Sequence, residues 1–279
     1  MPHVLALVGS HKKASRPGWS HVETKRSTHT PWSGVAKQKG RVPTGWIRAV
    51  HTSPDLLPYV AVREPPEAII PVGSDGELTD APGRACPFWR KLDEIYDAHK
   101  GKGGGTPGSL IGQFDYSRAL SSQPLRPQRG RRMVLYPASA DIMRAARTHA
   151  GVAVVDSTLY WVTVQSEAEA GYLVALLNAG CLRRAFFESK ESGRHFHLHP
   201  WRKVPIPRFD KRIRKHSRLA ELCTAAERIV ASRVRAELVE RPKLGQPGLS
   251  KAAREALQES KEGKEIERIA ARLLPDQAD

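Results

Sequence analysis

The stretch GVAVVDSTLYWVTVQSEAEAGYLVALLNAG, residues 151 to 180, constrains the fold more than any other part of the chain. Its first half is dense in β-branched and aromatic residues, which fit a pleated, half-buried surface and predict a strand. Its second half changes period. Ser166 and Glu169 have the spacing of a capping box, Leu173, Leu176 and Leu177 form an apolar stripe, and Asn178 to Gly180 supply a stop. A strand feeding a helix in this way is expected at the heart of an α/β (or α+β) fold: a mixed sheet with flanking helices.

Other elements can be placed around this pair. MVLY, residues 133 to 136, reads as a strand, and it follows a run containing Arg126, Arg129, Arg131 and Arg132. CPFWRKLDEIYDAHKGKGGG predicts a short helix with Phe88, Leu92, Ile95 and Tyr96 on one face, ended by the glycine run. That run follows a helix and lacks the closing Lys-Ser/Thr of a phosphate loop, so it reads as a connector. Leu219, Leu222, Cys223, Ala226, Ile229, Val230 and Val234 recur three and four apart. This predicts a long helix over about residues 216–240, broken by RPKLGQPG.

The ends of the chain carry weaker signals. Residues 1–44 are rich in Ser, Thr, His, Lys and Pro without a sustained period and read as irregular, with Trp19 and Trp32 as possible docking points. The expected organisation is therefore an irregular segment over 1–44, one domain over 45–210, a helix over 211–240, and a charged, partly helical tail over 241–279. In that tail Ile266, Ile269 and Leu273 fall on one side.

Net charge decides the class of partner. With 45 Lys and Arg against 29 Asp and Glu, the chain carries +16 at pH 7 and a pI near 10.1. Such a surface attracts polyanions, nucleic acid before membrane, because no basic amphipathic helix presents large apolar residues on its other face. No apolar run of about 18 residues occurs, and the opening MPHVLALVGSHKK lacks the basic flank of a signal peptide. Three scattered cysteines, Cys86, Cys181 and Cys223, without a CxxC pair fit a reducing cytoplasm. The expected location is cytoplasmic and nucleoid-associated.

RHFHLHPWRKVPIPRFD, residues 194 to 210, carries the densest chemistry. His195, His197 and His199 would share one face of a strand, since side chains alternate with period two. Metal binding needs further ligands brought in by the fold, so a polar strand facing solvent or DNA is the simpler reading. A magnesium nuclease would need carboxylates beside a lysine. The (D/E)xK triplet occurs at Glu23–Lys25, Glu188–Lys190, Glu259–Lys261 and Glu262–Lys264, too often in a Lys- and Glu-rich chain to be informative. No GxSxG elbow and no GxGxxG follows a strand. Basic clusters remain: Arg126, Arg129, Arg131 and Arg132; Arg183 and Arg184; Lys190 and Arg194; Arg202 and Lys203; Lys211, Arg212, Arg214 and Lys215. Arginine suits bidentate contact to phosphates and guanine edges.

VVDSTLYWVTVQSEAEAGYLVALLNAGCLRRAFFES and GRHFHLHPWRKVPIPRFD together resemble the C-terminal target-recognition region of adenine-specific DNA methyltransferases, including the fused type IIG restriction-modification enzymes. The pattern is similar in outline to the recognition domains of type I specificity subunits. It is best over residues 156–210 and looser back to Trp46. The family's glycine-rich S-adenosylmethionine motif and its Asn/Asp-Pro-Pro-Tyr/Phe motif have no counterpart here; the only Pro-Pro stands in Glu64-Pro65-Pro66-Glu67. The resemblance thus implies a module that reads double-stranded DNA for a restriction-modification or phage-defence system. It would bind no cofactor and perform no catalysis alone, with S-adenosylmethionine on a partner methyltransferase domain; the expected protein partner is a methyltransferase or restriction subunit. The expected DNA-binding residues are the basic clusters other than Arg183 and Arg184, together with His195 and His197. A protein-interaction or remnant module that no longer reads DNA, and a metal-dependent nuclease, are the alternatives.

Overall fold

The computed structural model describes residues 8–13, 16–26, 32–61, 65–101, 106–138, 143–188 and 204–274. The class is α/β, with nine strands in three small sheets and a long helix near the C-terminus among those residues. The chain groups into two compact units, each drawn from separate stretches. One comprises Met1–Val50, Glu64–Pro127 and Gly151–Val154; the other comprises His51–Arg63, Gln128–Ala150 and Val155–Asp279. The single domain expected over 45–210 is therefore divided, because the grouping depends on contacts between residues far apart in sequence.

In the first unit, β1 (Val8–Lys13), β2 (Trp19–Thr24) and β3 (Lys39–Pro43) form an antiparallel sheet in the order β1-β2-β3. This corrects the reading of residues 1–44 as irregular. On β2 Ser20, Val22 and Thr24 are buried and alternate with Trp19, His21 and Glu23, and on β3 only Val42 is buried, which leaves too few apolar residues on one face to show a period of two. A second sheet has the order β5-β4-β8, formed by β4 (Ile47–His51), β5 (Glu67–Ile69) and β8 (Val154–Val155). Three helices complete the unit: α1 (Pro82–Ala85), α2 (Pro87–His99) and α3 (Leu110–Phe114).

Helix α2 buries Phe88, Trp89, Leu92 and Tyr96, so Trp89 takes the place expected for Ile95, which is only half-buried. Trp89 packs edge-on against Trp46 and Phe114, with ring centroids 6.2 and 6.0 Å away. Trp32 stacks on Tyr96 at 5.8 Å and is buried in the same core. Gly40 on β3 permits this packing, since a Cβ there would fall 2.1 Å from the Phe88 ring.

The second unit is built on β6 (Arg132–Pro137), the middle strand of a sheet with β7 (Ala146–His149) and β9 (Leu159–Val164). Both pairings are antiparallel. Met133 and Leu135 pack with Leu56, Ala146 and Leu159, whereas Val134 and Tyr136 point into the helical core. Burial on both faces is why MVLY reads as a continuous apolar run.

Helix α4 (Glu167–Asn178) packs on β6 and on α6 (Arg214–Glu240). Ser166 Oγ accepts from the Glu169 amide at 3.1 Å, and Glu169 Oε2 accepts from the Gln165 amide at 3.0 Å, close to the capping box expected. Helix α4 stops at Asn178, at the start of the expected stop. After an extended Ala179 the chain re-enters a helix, α5 (Gly180–Glu188). The last residues, expected as a charged and partly helical tail, form two helices, and Ile266 and Ile269 of the expected apolar side are buried. Helices α7 (Gln246–Glu259) and α8 (Lys261–Ala271) pack with α6 and bury Leu249, Ala253, Leu257, Ile266 and Ile269 in the main core.

Candidate nucleic-acid interface

The expected basic residues differ in what they are bonded to. In the first unit, Arg126 is exposed. In the second, Arg129 and Arg131 sit on a tight turn that feeds β6. The Arg131 amide donates to the Gln128 carbonyl at 3.2 Å, and Gly130 takes φ 76°. A positive φ at the third position is what a type II turn requires, and glycine supplies it without strain. The turn projects Arg129 and Arg131 into solvent, with only a long contact from Arg131 Nη1 to Gln128 Oε1 at 3.4 Å.

Arg132 is different. It pairs with Glu167 and contacts the His149 ring, and its side chain is four-fifths covered. That position makes it a tie between β6, β7 and the first turn of α4 rather than a free cation.

The start of α6 carries the second cluster. Lys211, Arg214 and Lys215 are exposed and line a shallow groove of about 470 Å3 with Arg218, Glu221 and Glu265. Arg218 is held there by Glu265, at 2.9 Å to each oxygen, and by Glu221 at 3.1 Å. Arg212 folds back on Asp210, with Nη2 2.9 Å from Oδ2, and hydrogen bonds from its side chain and amide hold the Asp210 carboxyl down at about pKa 2. It is therefore partly neutralised.

Lys190, Arg194, His195, His197, Arg202 and Lys203 lie outside the described residues, as does His199. The end of the same motif is described. Val204 is buried, the Tyr172 hydroxyl donates to the Pro207 carbonyl at 2.9 Å, and Phe209 and His216 pack on the Tyr172 ring at 5.5 and 4.6 Å. His216 Nδ1 accepts from the Asp210 amide at 3.0 Å. The VPIPRFD segment is thus pinned to α4 and α6.

Among the described residues no group of three or more His, Cys, Asp and Glu is placed to hold a metal ion. In the first of the (D/E)xK triplets, Glu23 is bound to Lys37 and Lys39 at 3.0 and 3.3 Å, and hydrogen bonds from both lower its pKa. The three cysteines are free, and burial raises each thiol pKa, which makes them poor nucleophiles. Among the described residues no helix is long and apolar enough to cross a membrane.

Sequence reading missed Arg147, which accounts for much of the polar order in the second unit. It forms a two-bond pair with Glu227 at 2.7 Å, reaches Glu167 at 2.9 Å and donates to Thr224 at 3.0 Å. Burial opposes its charge, and these carboxylates outweigh that effect. Its surroundings in sequence, ARTH, give no sign of this role because every partner is distant in the chain. No protein family matches the sequence, and comparison with curated proteins finds no significant relative.

Proposed function

We propose that this chain is a DNA-recognition module: it binds double-stranded DNA and positions it for a partner methyltransferase or restriction subunit that carries S-adenosylmethionine. One observation carries the reading. On a chain of net charge +16, Arg126, Arg129, Arg131, Lys211, Arg214 and Lys215 are exposed and have no acidic partner among the described residues. Cations left unpaired in this way are available to phosphate oxygens. The motif resemblance over residues 156–210 supplies the choice of DNA over other polyanions.

Lysine and arginine contacts to the backbone would supply affinity and register, and a few side chains at base edges would supply sequence preference. The test is fluorescence anisotropy of the purified chain with a labelled duplex across a salt titration. The logarithm of affinity should fall linearly with the logarithm of salt, by about 0.9 per phosphate contact. An affinity that does not change with salt would refute the proposal.

A further inference from the structure

A cavity of about 260 Å3 opens inside the second unit between α5, α7 and α8. Its apolar lining comes from Tyr59, Met143, Leu257 and Ile266, and three cations, Arg183, Arg254 and Lys264, also face it. Arg183 Nε is buried without a hydrogen-bond partner among the described residues. Arg254 is half-buried, and burial together with the neighbouring Arg183 charge lowers its pKa, with Glu255 opposing them. Two guanidinium groups that repel one another, one with a buried donor unmet, are a costly arrangement that an anion between them would relieve.

One acid in the lining, Glu267, offsets part of this charge: its oxygens and Arg183 Nη2 all lie within 3.4 Å of where a Gly180 Cβ would stand. Both Glu267 oxygens accept from the Gly180 amide, at 2.7 and 2.8 Å, which draws the carboxylate to the start of α5. Three cations against one carboxylate leave the cavity with an excess of two positive charges. Guanidinium forks match a phosphate dianion in both geometry and charge. The volume is below the ~300–1,000 Å3 of sites for drug-sized ligands, so the occupant is small.

We infer that this cavity is a binding site for a small organic phosphate, with the phosphomonoester dianion between Arg183 and Arg254 and its apolar part against Leu257 and Ile266. The site stands independently of the DNA reading. The same dianion is carried by a free metabolite and by a 5′-phosphorylated strand end.

The test is isothermal titration calorimetry on the full chain, without DNA, using phenyl phosphate, inorganic phosphate and phenol. Phenyl phosphate should bind saturably and more tightly than inorganic phosphate, and phenol should not bind. Arg183→Gln and Arg254→Gln should each weaken phenyl phosphate by about tenfold or more, the expected effect of losing a charge-assisted hydrogen bond. Their ligand-free melting temperatures should be unchanged or raised, since each removes a repulsion; a purely structural arginine would lower them. Should Arg183→Gln fail to fold, Arg254→Gln carries the same comparison. Competition by a short duplex with and without 5′ phosphates then separates strand end from metabolite. No saturable binding of either phosphate, or equal affinity in the folded variants, overturns the assignment.

Discussion

Asn178 both ends a helix and holds a distant segment in place. In sequence, Asn before Ala-Gly at the end of an apolar helix is a stop signal. In the structure its side chain is buried and bonded at both ends: Oδ1 accepts from the Ala145 amide at 3.0 Å, and Nδ2 donates to the Ala145 and Val174 carbonyls at 2.8 and 2.9 Å. It replaces a piece of backbone pairing between α4 and the strand-entry segment before β7. Nothing local announces this, because Ala145 lies 33 residues away. Asn178→Ala should therefore strand a buried amide and carbonyl and destabilise the fold by about 2–4 kcal/mol. Urea unfolding measures it. A loss under about 0.5 kcal/mol, the range of inert surface changes, would show that Asn178 does not hold the segment.

Among the elements, legibility follows the source of the stabilising contacts. Helix α6 could be read because its apolar residues recur with helical period: Leu219, Leu222, Cys223, Ala226, Val230 and Val234 are all buried. Helix α4 could be read from its cap, but it is buried at nearly every position from Ala170 to Asn178, and Leu173 of the expected stripe is only half-buried. Sheet β1-β2-β3 could not, because its strands carry too few apolar residues on one face and owe their order to hydrogen-bonded pairing across the sheet. Helices α7 and α8 look like a charged tail for a related reason, since their buried faces are narrow and lined partly by alanine. The basic turn at Arg129 and the cluster at the start of α6 were visible as charge, but the engagement of Arg132 and Arg212 by acids was not.

The junction between the Pro-rich segment and α6 also makes a pH prediction. His216 is buried and accepts from the Asp210 amide, and His51 is buried with Nε2 3.3 Å from Thr148 Oγ1. Burial lowers both pKa values below 6.5, against the opposing charges of Asp210 and Asp55. A depressed histidine is neutral when folded and protonates more readily when unfolded. Stability is therefore complete above about pH 6.5, falls as pH drops through the window down to the folded-state pKa, and then levels off. Denaturant midpoints measured from pH 7.5 to 5 should decline, and His216→Asn, which keeps an acceptor without a titrating ring, should decline less. A flat profile in the unaltered chain would show that neither histidine is held neutral.

For the whole molecule, charge is legible from composition alone, but its use depends on where the free cations stand. Arg129 and Arg131 project from a two-residue turn tip at the entry to a sheet, a shape that can enter a groove. Lys211, Arg214 and Lys215 flank a shallow depression at a helix start, a shape better suited to phosphate oxygens. The DNA reading then requires two kinds of loss. Changing Lys211, Arg214 and Lys215 to Gln should weaken binding to all duplexes alike and flatten the salt slope by about 0.9 for each phosphate contact removed. Changing Arg129 and Arg131 to Gln should instead narrow the gap between a duplex selected from a random pool and a random duplex. The expected narrowing is about 1–3 kcal/mol for each lost bidentate base contact. Paired affinities at one fixed salt concentration, with slopes from a titration, separate the two. If the turn variants lose affinity uniformly while the helix variants lose selectivity, the two roles are exchanged. If neither set changes binding, the exposed arginines and lysines are solvated charge, and DNA recognition by this surface is refuted.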